Sequence, residues 1–198
     1  MASKSTIARA LLLLLLAATL SLAELSANAE APAVPLPLQV DLTVKLLEYA
    51  QAPSPQAGAG GLMHIGILVK SGSVESQHAG TELKAALGRV ARIAGVGHEE
   101  ITLEWSTAAA MAEQVKSKRL FAVYLTPGLG SDVPSIAYAL VGTPVITIGA
   151  IDTYVAGGAL LGFELTSGRP KMVFNLGQAK RQGVVFRASV MKLMRIIE

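Results

Sequence analysis

The sequence predicts an α/β fold: a single-domain three-layer sandwich with a mostly parallel sheet and an antiparallel C-terminal edge hairpin. Three observations carry this. Apolar runs such as Leu62–Val69 and Leu120–Thr126 are hydrophobic at nearly every position, as strands buried on both faces are. Amphipathic segments alternate with them, so successive strands are joined by crossovers and run parallel. Near the C-terminus, two short apolar runs flank Thr166-Ser167-Gly168-Arg169-Pro170, a five-residue hairpin spacing that makes the last pair antiparallel.

Taken in order, residues 1–29 read as a secretory signal peptide. Lys4 and Arg9 precede an apolar run from Leu11 to Ala23, and Ala27-Asn28-Ala29 supplies small residues before a cleavage site after Ala29. An uncleaved anchor is the other reading, but a spanning helix needs roughly 20 apolar residues and the run is shorter. The cleaved product is expected in the periplasm, with no remaining membrane span. Residues 30–37, with Pro32, Pro35 and Pro37, read as a linker to a domain over residues 38–198. Leu38 to Ala50 fits a helix better than a strand, because Leu46-Leu47 breaks an alternating pattern. Gln51–Gly61 is a loop by composition.

The strand at residues 62–69 is followed by a helix whose Leu83, Leu87, Val90 and Ala94 share a face, with Gly95 or Gly97 as its end. Ile101–Trp105 alternates as a short strand. Ser106 or Thr107 caps the next helix. After the strand at 120–126 come a turn, a short helix and a strand at Pro144–Gly149. At the C-terminus, Val190, Leu193, Met194 and Ile197 mark one face of a closing helix, and Arg187, Lys192 and Arg195 lie off it. That face is expected to bury, with Leu193 contributing to stability.

Composition narrows the function. The 198 residues contain no cysteine, which excludes thiol redox control and disulfides. A net charge of +3 is too small a basic excess to indicate nucleic-acid binding. The three histidines, His64, His78 and His98, have no metal-ligand spacing, so no metal and no cofactor is expected, and His64 reads as a satisfied core residue. No nucleophile elbow or positioned acid–base pair is visible. Glu99-Glu100 starts a strand, where neighbouring side chains point to opposite faces. An enzyme is therefore not expected. One constellation has ligand-binding geometry. Gly128-x-Gly130-Ser131-Asp132 lies between a strand and a helix start, where open parallel sheets hold ligands; Ser131 or Asp132 fits the cap and Pro134 the first turn. A tight turn with a cap is the structural alternative. Asp152 is a further candidate cap for a short helix.

The stretch from Val145 to Ile196 resembles the closing half of the YfiR family of small periplasmic regulators. Asp152, Ala156, Gly157, Gly158, Gly162, Phe163, Asn175, Leu176, Ala179, Gly183 and Phe186 match its pattern in order, and Val40–Pro53 is similar to its opening helix. The resemblance implies structural roles for Asp152, Gly157, Gly158, Gly162, Phe163 and Asn175, with Asn175 bonding backbone where a strand becomes a helix. It also implies a regulatory binding protein that sequesters or inhibits an inner-membrane signalling protein, typically a diguanylate cyclase, and so acts on cyclic-di-GMP signalling. The implied partner is the periplasmic domain of such a cyclase or of a sensor kinase, or an outer-membrane receptor; a homodimer is a further candidate. The alternative is a small-molecule-binding module related to one lobe of a periplasmic substrate-binding protein.

Overall fold

A computed structural model describes residues 30–49 and 61–198. The signal peptide expected at residues 1–29 and nearly all of the loop expected at 51–61 lie outside the described residues. Helix α1 spans Leu36–Leu47, with Pro37 in its first turn. Alternating elements follow: β1 (Met63–Lys70), α2 (Val74–Leu87), β2 (His98–Trp105), α3 (Ala108–Ser117), β3 (Leu120–Leu125), α4 (Val133–Ala139), β4 (Ile146–Gly149) and the short α5 (Tyr154–Gly157). The chain closes with β5 (Leu161–Thr166), β6 (Arg169–Asn175), α6 (Leu176–Gln182), α7 (Ala188–Met191) and β7 (Arg195–Ile197).

All seven strands form one sheet in the order β2-β1-β3-β4-β5-β6-β7. Strands β1 to β5 are parallel; β6 runs antiparallel to β5, from Leu161↔Phe174 to Thr166↔Arg169, and β7 runs parallel to β6. Strands β1 and β3 are buried along nearly their whole length because each face of the sheet is covered. On one face Ile65, Ile67, Tyr124, Ile148 and Phe163 pack with α1, α2 and the C-terminal residues Val190 and Met194. On the other, Leu68, Leu103, Val123 and Leu125 pack with α3, α4 and Tyr154. This is the three-layer α/β sandwich with a mostly parallel sheet. Residues Ala31–Glu198 form one compact unit.

Several local expectations change. The segment read as a linker to Pro37 joins the fold earlier: Val34 is fully buried and Leu36 already begins α1. Helix α2 starts on the Ser73 cap, whose Oγ accepts from Ser76 N, but stops at Leu87. Beyond it Ala94 and Gly95 adopt positive φ in a tight turn closed by paired bonds between Ile93 and Val96, so Val90 and Ala94 never join the helical face. The β5–β6 turn uses two residues rather than five. Ser167 and Gly168 have φ of 51° and 73°, the two positive values of a turn whose twist matches the flanking strands.

The largest change is at the C-terminus. Only Ala188–Met191 is helical; Arg195–Ile197 is a strand beside β6. Without it β6 would present a free edge of unpaired backbone groups, and satisfying that edge overrides the amphipathic period. Val190 and Met194 are buried, Leu193 is 76% exposed, and Ile196 is exposed too. The hairpin therefore lies one strand inside the sheet edge.

Candidate functional site

The order β2-β1-β3-β4-β5 puts a topological switch point between β1 and β3. From β1 the chain crosses one face through α2; from β3 it crosses the other through α4. A crevice forms at the carboxyl ends of such a strand pair. Lys70 ends β1 there, and Ser73 and Ser76 open α2. From β3 come Thr126 and the turn through Gly128, Gly130 and Ser131 to Asp132.

Polar side chains of the protein itself link across this crevice. Ser76 Oγ lies 2.6 Å from Thr126 Oγ1, Lys70 N donates to Ser76 Oγ (2.7 Å), and Thr126 Oγ1 donates to Leu68 O (2.8 Å). Lys70 Nζ donates to Asp132 Oδ2 at 3.1 Å. Asp132 occupies the cap position of α4, yet its carboxylate makes no cap bond, because it faces Lys70 instead. Gly128 has φ of +87°, and a Cβ there would meet Ser73 Oγ at 3.3 Å, so the turn rides close on the start of α2. Of the residues predicted from sequence, the structure thus brings Gly128 and Asp132 to the crevice wall. Gly130 is half-buried in the turn and Ser131 is exposed. Lys70, Ser73, Ser76 and Thr126 were not singled out from sequence; Lys70 closing an otherwise apolar strand was the available signal.

The family-pattern residues surround α5. Asp152 Oδ1 accepts from Thr153 N at 2.7 Å rather than from the interior of a helix, and α5 has no side-chain cap bond. Gly158 has φ of +118°, and a Cβ there would lie 2.6 Å from Ala137 Cβ; a Cβ on Gly157 would meet Val133 Cγ1 at 3.2 Å. A Cβ on Gly162 would collide with Val155 Cγ2. Phe163 lies in the core. Asn175 caps α6: its Oδ1 accepts from Gln178 N (2.8 Å) while Nδ2 donates to Val155 O (2.9 Å). These residues hold α5, β5 and α6 at contact distance.

His64 is buried, with Nδ1 donating to Lys118 O at 2.6 Å. His98 Nε2 donates to Val90 O at 2.7 Å and its Nδ1 faces Glu100 Oε1 at 2.6 Å. Among the described residues no group of three or more His, Asp or Glu side chains could hold a metal ion.

A second concavity, absent from the sequence reading, opens between the end of α1, the β5–β6 hairpin and the C-terminal segment. Its volume is about 670 Å³. Leu42, Leu46, Tyr49, Met172, Leu193 and Met194 form most of its wall, and Lys45, Arg169 and Lys171 bring positive charge to it. Nearby, Arg195 of β7 reaches Glu164 of β5 through two parallel bonds, Nε to Oε1 at 2.8 Å and Nη2 to Oε2 at 2.7 Å. Those bonds hold the Glu164 carboxyl below its ordinary range.

The profile of the YfiR/HmsC-like family matches residues 37–195. The chain belongs to this family. Membership identifies a regulator of the periplasmic type, and among the described residues no helix is long and apolar enough to cross a membrane. A comparison with curated proteins returned no match. Solved structures share the fold. A conserved domain protein from Vibrio cholerae O1 biovar El Tor is 13% identical at a TM-score of 0.55, over 83% of this chain and 60% of that one. An ABC domain in complex with L-Trp from Streptococcus pneumoniae is 16% identical at 0.53, over 78% and 60%. A ligand-free, open substrate-binding protein with adhesive properties from Clostridium difficile is 16% identical at 0.54, over 80% and 59%. The chain of this YfiR/HmsC-like protein therefore spans about 60% of the length of the solved proteins it matches.

Proposed function

We propose that this protein is a periplasmic regulatory binding protein, exported and cleaved after Ala29, that holds down the output of an inner-membrane signalling protein such as a diguanylate cyclase. The observation that carries this reading is the family match across residues 37–195. The crevice supports it. Where a ligand-clasping protein presents open polar groups, this one has Lys70 paired with Asp132 and Ser76 paired with Thr126. A sensor kinase or an outer-membrane receptor would serve as partner on the same logic, and a second copy of the chain is a further candidate. The test is deletion of the gene followed by measurement of cyclic-di-GMP. The level should rise, and the intact chain supplied in trans should restore it. An unchanged level, together with no membrane protein crosslinked to the chain in cells, would refute the reading. The intact mass of the exported protein tests the cleavage: it should begin at Glu30.

A second reading follows from the likeness to substrate-binding proteins, one of them described in complex with L-Trp. On it, the crevice at Lys70, Gly128, Gly130, Ser131 and Asp132 takes a small zwitterion or anion after the Lys70–Asp132 pair opens. Thermal shift against free amino acids tests this. A saturable rise in melting temperature that Lys70→Ala abolishes would support it; no shift would reject it.

A further inference from the structure

We propose that the groove between α1, the β5–β6 hairpin and the C-terminal segment binds a single-chain anionic amphiphile: an alkyl chain ending in a carboxylate. This goes beyond the regulatory reading and stands or falls separately from it. The volume of about 670 Å³ lies within the range of roughly 300–1,000 Å³ typical of small-molecule sites. Leu42, Leu46, Met172 and Met194 give it an apolar floor, and the two unbranched methionines adapt to a mobile chain. Leu193 stands 76% exposed in its wall and Tyr49 43%, so apolar surface remains there to be covered.

The charge is of one sign. Among the described residues, Lys45, Arg169 and Lys171 line the groove and no carboxylate does. Glu164, opposite Lys171 in the strand register, is already held by two nitrogens of Arg195, Nε and Nη2. Lys45 and Arg169 make no ion pair among the described residues. Among the described residues of the lining, Thr166, Ser189 and Tyr49 carry the side-chain hydroxyls. An extended peptide laid here would leave backbone N–H and C=O groups facing apolar walls without partners, which costs free energy for each group. An alkyl chain carries no such groups, and its one charged end meets a cationic rim.

Calorimetric titration of the full mature protein with decanoate, undecanoate and dodecanoate, below their micelle concentrations, tests the proposal. Kd should fall about fourfold for each methylene added while the chain still fits. Dodecanol should bind at least tenfold more weakly than dodecanoate, and dodecyltrimethylammonium should not bind. Leu193→Glu puts a carboxylate into the wall at an exposed position. It should keep the melting temperature and weaken dodecanoate at least tenfold. The double variant Lys45→Gln, Arg169→Gln should weaken dodecanoate about fivefold or more and leave dodecanol unchanged. Equal affinity for dodecanoate and dodecanol, or wild-type affinity in Leu193→Glu, would overturn the proposal. So would flotation with anionic phospholipid vesicles without dodecanoate binding, which assigns the surface to a membrane. Capture of an acidic amphipathic helical peptide without dodecanoate binding would likewise overturn it and assign the groove to a protein partner.

Discussion

Gly162→Ala should be costly even though Gly162 lies in a strand, where alanine is ordinarily tolerated. The added Cβ would collide with Val155 Cγ2, while its next neighbours, Gly149 O at 3.6 Å and Val155 Cβ at 3.8 Å, are at ordinary contact distances. Val155 is 1% exposed on α5, and a β-branched side chain on a helix has one strongly favoured χ1, so it has nowhere to swing. Its carbonyl is also held by Asn175 Nδ2, which resists a shift of α5 as a body. Overpacking of this kind costs about 1–3 kcal/mol. For a domain of this size each kcal/mol lowers Tm by about 2–4 °C, giving a drop of about 2–12 °C. Val155→Ala alone removes two buried methyl groups' worth of apolar area and should cost about 2–3 kcal/mol. In the double variant the new methyl at 162 occupies the space left at 155. The two losses should then fall short of their sum by about 1–3 kcal/mol. Thermal or urea melts of the four proteins read this directly. Strict additivity, or a Gly162→Ala protein that melts like the parent, would refute the steric reasoning.

Three further outcomes follow. Leu193→Ala should leave stability within about 0.5 kcal/mol, whereas Met194→Ala, one residue on and buried, should cost about 2–5 kcal/mol; melts of the two decide it. Glu164→Gln should remove a pH-dependent contribution: the folded carboxyl is depressed by its bonds from Arg195, so that contribution is complete above the ordinary value of 4.5 and is lost as pH falls through the depressed value. The stability gap between parent and Glu164→Gln, under about 1 kcal/mol for a pair whose Arg195 is largely solvated, should close on acidification, and amide exchange at Ile196 and Ile197 should be faster in the variant at neutral pH. Burial pushes the Tyr124 phenol above its ordinary value, so it should be among the last of the four tyrosines to ionise in an alkaline absorbance titration; Tyr124→Phe should cost about 1–3 kcal/mol because Thr43 Oγ1 loses a partner at 2.7 Å.

The sheet was legible because two of its strands, β1 and β3, are apolar at almost every position, which only a strand covered on both faces requires. Helix α2 was legible in part, from Leu83 and Leu87 but not from Val90 and Ala94, and α3 from Thr107, whose Oγ1 accepts from Ala110 N. The C-terminus was not. Val190, Met194 and Leu193 fit one helical face, but the unpaired edge of β6 is a property of the assembled sheet and no local pattern announces it. The crevice was half visible for the same reason. Gly128 and Asp132 lie in one motif, whereas Lys70, which neutralises Asp132, comes from a strand far away in sequence. The groove draws on α1, the hairpin and the last ten residues, and only the fold brings them together.

The meeting of α1 with the C-terminal segment bears on how the chain acquires its shape. Val40 and Leu46 share a core cluster with Phe186, Val190 and Met194, and Arg187 N donates to Tyr49 O at 3.5 Å. Contacts between the two ends of a unit close the longest loop available, and such topologies fold slowly. The Ser167-Gly168 hairpin, by contrast, is local and forms on the microsecond scale. The hairpin can therefore form early, whereas the contacts of α1 with Phe186, Val190 and Met194 wait on the rest of the unit. Until both ends of the unit are in place, the apolar side chains they share stay exposed to solvent.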